Sequence, residues 1–240
     1  LTDETGSWRN GYRVVALLQL SIGLIIALTL NKWKIIKEDF LDEESTQQQK
    51  SLFEILKIKG VVTSILSQGL YCSMEFTIGT WGASYLVNVH LLSPAEAAKW
   101  ISLYFCGIMV GRIISGFISM KASDNTMIRG GIIVSCLGMI ILSLPLGEVS
   151  FFGLLLIGIG FGPIFPSVLH SVPDRFGEEY SADITGFHMG GAYGIGFGVQ
   201  LVFGFVATAT TFKITTFVLL ALVVALFFAV AGHQKQQQDH

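Results

Sequence analysis

Runs of apolar residues, each long enough to cross a bilayer, alternate along this chain with short polar breaks. The first runs from about Tyr12 to Leu30, with Trp8, Tyr12 and Trp33 placed as interfacial anchors. A polar stretch from Asn31 to Lys59 follows. It holds six lysines, six acidic residues and three consecutive glutamines, too polar for hydrocarbon, and reads as a soluble linker. The second span covers Gly60 to about Val87, near 40 Å as a helix against a core of about 30 Å. Gly69, Gly79 and Gly82 give it places to bend or unwind. Ser93, Pro94 and Glu96 stand at the N-cap, N1 and N3 of a capping box, a firm start for a third helix to about Ile118. The remaining spans are expected at about Met127–Leu144, Val149–Leu169, Ile184–Ala207 and Phe212–Val230, the last ended by Gly232. No span alternates like a barrel strand. The expected fold is all-α: a polytopic membrane protein whose six-helix bundle, residues 60–232, is preceded by one extra transmembrane helix within residues 1–31. Residues 32–59 form the linker, and a polar tail, residues 233–240, is expected to be disordered.

Composition agrees with that reading. Only 13% of residues are charged, against about 25% in a soluble domain, while Phe numbers 18 and Gly 27 among 240 residues. The formal charge of -2 says little about partners, and no basic tract suggests nucleic acid. Cys72, Cys106 and Cys136 lie in apolar segments, odd in number and without metal-ligand spacing, so neither a disulfide framework nor a zinc site is expected. The chain opens without Met, which reads as an internal start of something longer. Counting Lys and Arg near span ends gives ten on the linker side (the six linker lysines, Lys121, Arg129, Arg175, Lys235). Four lie on the other side (Arg9, Arg13, Lys99, Lys213), so the linker side is expected to be cytoplasmic.

Glu75 is the residue that most needs an explanation. It lies about fifteen residues into an apolar span, where a lipid-facing carboxylate costs about 2.5 kcal/mol or more. It is expected to face protein, water or a solute. Tyr71, four residues earlier, shares its face, whereas Trp81 lies about 240° around the axis and is expected to anchor the helix or wall an outer mouth. Tyr85 continues this segment. In the third span Gly107, Gly111 and Ser115 follow at four-residue spacing, which permits close helix contact. Gly116 lies just beyond, and Arg112 beside them has three options: snorkelling to the interface, an ion pair, or capping a helix end. Pro163 and Pro166 remove backbone donors inside the fifth span, where a kink and freed carbonyls are expected. His170 beyond them reads as a solvated loop residue. The sixth span carries seven glycines and three polar groups, His188, Tyr193 and Gln200. Tyr193 and Gln200, seven apart, are the expected cavity-facing pair, with His188 oblique to them.

No HExxH, GxSxG or P-loop pattern occurs, so no enzyme activity, cofactor or metal is expected. Transporter half, channel subunit, membrane enzyme and seven-helix receptor are the classes weighed. The long cytoplasmic linker and lack of a pore loop favour transport.

At Glu75, Arg112 and the proline pair the chain resembles the major facilitator superfamily, specifically a carboxy-terminal half preceded by the sixth helix of twelve. Phe117–Lys121 after Gly107, Gly111 and Arg112 is similar to that superfamily's latch loop between the second and third helices of a half, without its usual acidic residue. The stretches around Glu75-Gly79-Trp81-Ser84-Tyr85, Ala97-Ala98-Trp100, Gly111-Arg112-Ser115-Gly116, Pro163-Pro166, Pro173-Phe176-Gly177 and Met189–Tyr193 resemble the branch near fucose permeases and sodium-dependent glucose transporters. Where that branch tends to carry a proline late in its eleventh helix, this chain has Gly196, Gly198 and Gln200. The resemblance implies a multi-pass plasma-membrane secondary transporter. It would move a small polar solute, a sugar foremost, by alternating access with H+ or Na+ coupling, in contact with membrane lipids and an amino-terminal half. Fucose-permease coupling carboxylates lie mainly in that other half. The alternative it leaves is a facilitative carrier or a drug or metabolite exporter of the same fold.

Overall fold

The first helix runs well past its apolar run. In this computed structural model, which describes the backbone of residues 9–44 and 52–238 and the side chains of 9–30 and 53–230, α1 spans Arg9–Glu44, 36 residues. The sequence reading stopped it at Leu30 because charge begins there. Charge does not end a helix, and Asn31 to Glu44 contains neither glycine nor proline. Within the apolar part, the Ser21 and Thr29 hydroxyls donate to the carbonyls of Leu17 and Ile25, which satisfies them without leaving the helix. The anchors Trp8 and Trp33 and the run Gln47–Gln49 lie outside the described residues or side chains. Leu1–Gln49 forms one structural unit and Lys50–His240 a second, so the second unit begins inside the expected linker. Short α2, Leu52–Lys57, opens it.

The second unit is built on α3, Val61–His90. It is an unbroken 30-residue helix, so its glycines do not unwind it. They admit neighbours instead: a methyl on Gly69 would lie 2.5 Å from Ile195 Cδ1, and one on Gly82 2.5 Å from Ile101 Cδ1. Leu91, in the left-handed region at φ 57°, turns the chain out of the helix end. The capping box at Ser93 is present as expected, with the Ser93 side chain accepting from the Glu96 N–H and the Glu96 carboxylate accepting from the Ser93 N–H. It starts α4, Pro94–Ile118. Helix α5, Asp124–Ser143, starts three residues before its expected position because Ser123 caps it.

The fifth apolar run is where the backbone breaks. A 3-10 turn, Gly147–Phe151, leads into α6, Phe152–Phe161, and after Gly162 and Pro163 the chain resumes as α7, Ile164–His170, and α8, Val172–Phe176. Both prolines were expected to disturb this run, but only Pro163 does. Pro166 is the third residue of α7, where an N–H has no intrahelical partner in any case. The Gly177 φ of 89° makes the corner into α9, Glu178–Ala209. Helix α10, Ile214–Gln238, passes the expected stop at Gly232 and takes in a Gln-rich tail that favours helix.

Glycines on two sides lock α6 into the bundle. Gly158 and Gly162 face α4, and Gly153 and Gly160 face α5. Added methyls at Gly107 and Gly111 would run into the carbonyl oxygens of Leu155 and Ile159, and one at Gly158 into that of Tyr104. One at Gly138 would lie 2.7 Å from the Gly153 carbonyl oxygen. Pro163 cannot donate to the Ile159 carbonyl, and that oxygen lies against the Gly111 Cα, a close approach only glycine permits. A methyl added at Gly116 would meet nothing within 4 Å, so this glycine makes no such close crossing.

Among the described residues five helical stretches are long and apolar enough to cross a membrane: Arg9–Leu30, Pro94–Ile118, Asp124–Ser143, Gly147–His170 and Glu178–Ala209. Ile214–Val230 is a shorter apolar helix. Helix α3 is not among the five; it carries Ser64, Ser67, Gln68, Ser73 and Thr77, all buried within the bundle.

The α4–α6 crossing yields a stability prediction. Gly111→Leu and Gly158→Val should cost more than the ~1–3 kcal/mol usual for overpacking, because the obstacle is backbone rather than a movable side chain. Gly194→Ala, where no atom lies within 4 Å, should be neutral. Folded yield by fluorescence-detected size exclusion is the measurement, and equal yields for all three variants would contradict the packing described.

Candidate functional site

Glu75 sits at the midpoint of α3 with its side chain 18% exposed, and the Arg112 guanidinium of α4 approaches it, Nη2 to Oε1, at 3.8 Å. Of the options the sequence left for Arg112, the structure shows an ion pair. The separation exceeds the roughly 2.7–2.9 Å of a charge-assisted hydrogen bond. Both groups therefore attract one another while keeping room for another partner, and Arg112 is half exposed.

The pair borders a cavity of about 330 Å³ lined by Cys72, Glu75, Phe76, Arg112, Phe165, Pro166 and Tyr193. That volume lies at the lower end for small-molecule sites. Its walls are aromatic. The Phe76 and Tyr193 rings stack, centroids 6.0 Å apart at 21°, and Phe197 closes the group at 5.2 Å from Phe76 and 6.4 Å from Tyr193. Tyr193 and Phe197 are each 51% exposed. Pro166, Arg112 and Gly116 also border a larger cavity of about 610 Å³, Arg112 and Pro166 being common to both. It extends to Asp124, His170 and Arg175, with Ser115, Ser119, Ser123, Ser167 and Ser171 on its walls. Here His170 Nδ1 lies 2.9 Å from Asp124 Oδ2, and Arg175 Nη2 donates to Asn125 Oδ1 at 2.7 Å. His170 is 78% exposed, the solvated residue expected, and it also joins the end of α7 to the start of α5. The 46 residues between the partners hid that contact from a sequence reading.

Tyr71 stands behind Glu75 rather than beside it in the cavity. It is fully buried and its hydroxyl donates to the Phe161 carbonyl, 3.1 Å, at the end of α6. Tyr104, which the sequence reading passed over, is also fully buried and donates to the Glu75 carbonyl oxygen at 3.4 Å. These two phenols tie α3 to α6 and α4 and fix the helix turn that carries Glu75. Phe76, Phe165 and Cys72 were missed as well. The available signal was position, Phe76 adjoining Glu75 and Phe165 lying between the two prolines.

Trp81 fastens α3 to α9. Its indole N–H donates to the Gln200 carbonyl, 3.1 Å, and its ring fills the space left by Gly204 while contacting Phe203 and Phe212. The Thr80 hydroxyl donates to Gln200 Oε1 at 2.8 Å. Gln200 and Tyr193 both lie on the side of α9 next to α3, but Gln200 lines neither cavity. Tyr85 is buried, its hydroxyl 3.3 Å from Thr216 Oγ1 and 3.2 Å from His90 Nε2, so it fastens α3 to α10. His188 is fully buried and borders neither cavity. The α9 glycines divide by face: Gly191, Gly196 and Gly204 receive Ile65, Phe76 and Trp81, whereas Gly186, Gly190, Gly194 and Gly198 meet nothing within 4 Å. Among the described residues no three His, Cys, Asp or Glu side chains gather as metal ligands.

The profile of the Major Facilitator Superfamily matches residues 1–200. Among curated proteins, the chain is 25% identical over 114 residues to the "Probable actinorhodin transporter" of Streptomyces coelicolor, a match over 45% of this chain and 20% of that protein. It is 28% identical over 82 residues to "Bypass of stop codon protein 6" of Saccharomyces cerevisiae, over 34% of this chain and 16% of that protein. Among solved structures, it superposes on the transporter FucP in the outward conformation with a TM-score of 0.63 at 14% identity, covering 74% of this chain and 43% of that one. A structure of the Escherichia coli fucose:proton symporter gives 0.63 at 16% identity, over 76% and 44%. At these identities the superpositions establish the fold, and the chain spans less than half of each of these proteins. Family membership, with five helical stretches among the described residues long and apolar enough to cross a bilayer, makes this a multi-pass protein of the plasma membrane. Its profile match over most of its length, its helical architecture and its superposition on FucP together place the chain in the Major Facilitator Superfamily.

Proposed function

We propose that this chain is the carboxy-terminal half, with the preceding helix, of a secondary transporter that moves a small polar solute, a sugar foremost, coupled to protons or Na+. The observation that carries the reading is the Glu75–Arg112 pair at 3.8 Å on the wall of an aromatic cavity. A carboxylate that exchanges a cation partner for an apolar or solute-filled surrounding takes up and releases a proton as it does so. Glu75 has both surroundings within reach: Arg112 on one side, and Phe76, Phe165 and Tyr193 on the other. Ring-shaped sugars present an apolar face to stack on aromatic side chains and a hydroxyl edge for a charged pair, which suits these walls. Seven spans, the last six as two inverted three-helix repeats, and alternation against an amino-terminal half complete the proposal.

The second reading, a metabolite exporter, is favoured by the similarity to a protein named as an actinorhodin transporter. Flat aromatic solutes would use the same three rings. A substrate screen in the complete carrier separates the two: saturable uptake of a sugar supports the first, and extrusion of aromatic compounds without sugar uptake supports the second.

Two further outcomes are expected. In the complete carrier Glu75→Gln should keep expression and counterflow but lose accumulation against a gradient and its dependence on pH, because glutamine cannot carry the proton. Concentrative uptake with an unaltered pH profile at matched protein levels would remove Glu75 from coupling. For topology, single cysteines replacing Lys50 and Ser93 should label from opposite sides of the membrane, Lys50 from the cytoplasm, and labelling from one side would overturn the proposed arrangement.

A further inference from the structure

We infer that Thr80 is a positioning residue that holds the Gln200 amide so that the pathway wall offers the solute a hydrogen-bond donor. The inference rests on the transport reading above and adds a specificity element to it. A glutamine side chain ends in one acceptor oxygen and an NH2 with two donors, and free rotation would present either. Here the oxygen is occupied by the Thr80 hydroxyl at 2.8 Å. The backbone beneath is held too, since the Trp81 indole N–H donates to the Gln200 carbonyl at 3.1 Å. Two successive residues of α3 thus fix one residue of α9, and with the oxygen turned to Thr80 the NH2 is the end of Gln200 that offers donors to a visitor.

Gln200 lines neither of the two cavities, and the use of its donor follows from its position beyond the stacked rings. Thr80 is four residues beyond Phe76 and Gln200 three beyond Phe197, so the pair lies about one helical turn, roughly 5 Å, along from the stacked rings. Glu75 and Arg112 lie at the other end of those rings. A solute lying on the aromatic surface meets the ion pair at one end and the amide N–H groups at the other. The group recognised at the Gln200 end is a hydrogen-bond acceptor: a hydroxyl, a ring oxygen or a carbonyl. A site that presents a fixed donor discriminates strongly against an analogue lacking the acceptor, since the donor is then left unmet. Thr80 itself is exposed on the α3 surface, and its role runs through Gln200.

The test is uptake by the complete carrier of radiolabelled L-fucose and D-glucose, each beside its monodeoxy analogues, at matched surface protein. Thr80→Val keeps shape and removes the hydroxyl. It should raise KM about 10-fold, the effect of one lost hydrogen bond, with kcat within about two-fold, and it should flatten discrimination against the analogue that lacks the accepting oxygen. Thr80→Ser keeps the hydroxyl and should retain both KM and discrimination. Gln200→Glu keeps an oxygen for Thr80 but has no donor, so it should match Thr80→Val, and it decides the matter if the valine variant fails to reach the membrane. Wild-type KM and discrimination in Thr80→Val or Gln200→Glu overturns the inference, as does a Thr80→Ser variant as impaired as Thr80→Val. If the unmodified carrier takes up neither sugar, the sugar reading falls and this inference falls with it. Normal wild-type uptake with an unaffected Thr80→Val removes Thr80 alone.

Discussion

The close contact between the α4 and α6 backbones is the constraint on which the site depends. Gly107 and Gly111 meet Gly158 and Gly162 with no side chain between them, and Gly162 lies against the Gly111–Arg112 peptide. Small residues on both helices let dispersion contacts and Cα–H···O contacts replace side-chain packing, the usual source of helix association where lipid supplies no hydrophobic drive. The break at Gly162 and Pro163 therefore falls beside Arg112, and the arginine starts from the point where α6 gives way to α7. Glycines on the opposite face of α6 hold α5 in the same manner, so three helices share one fixed spacing.

Against that fixed frame, α3 is placed by polar contacts. The Tyr71 and Tyr104 hydroxyls, both inside the bundle, donate to backbone carbonyls. Buried hydroxyls without partners would be costly, and here each one also fixes a helix register. The registers so fixed bring Glu75 opposite Arg112, and the loose separation of that pair leaves its charges available to a third group. Two cavities meet at Arg112 and Pro166, so one guanidinium faces both the aromatic chamber and the serine-rich space running to His170 and Asp124.

Helix α9 has two different faces. One is shaped by Gly191, Gly196 and Gly204 to accept Ile65, Phe76 and Trp81 of α3. The other carries Gly186, Gly190, Gly194 and Gly198, where an added Cβ would meet nothing within 4 Å, while Tyr193 and Phe197 reach Phe76 from the edge toward α3. Glycine abundance alone did not distinguish these roles, and the assignment of each glycine required its neighbour.

The sequence by itself determined what depends on local pattern and medium. Apolar length placed α4 and α5 within three residues and the end of α9 within two, though α9 starts six residues earlier at Glu178, and the Ser93–Glu96 capping box appeared as written, because a cap is an interaction across three residues. Four-residue spacing identified Gly107 and Gly111 as a contact surface, and a carboxylate at mid-span identified Glu75. Tertiary structure decided the rest. Whether Pro163 or Pro166 interrupts a helix depended on where α7 begins. Tyr71 shares the Glu75 face, as its spacing requires, yet the nearby Phe161 carbonyl draws it out of the cavity. The pairs Thr80–Gln200 and His170–Asp124 are separated by 120 and 46 residues. Helical periodicity states which side of a helix a residue occupies. What stands on that side is fixed by how glycine contacts set the spacing and crossing of helices that are distant in the chain.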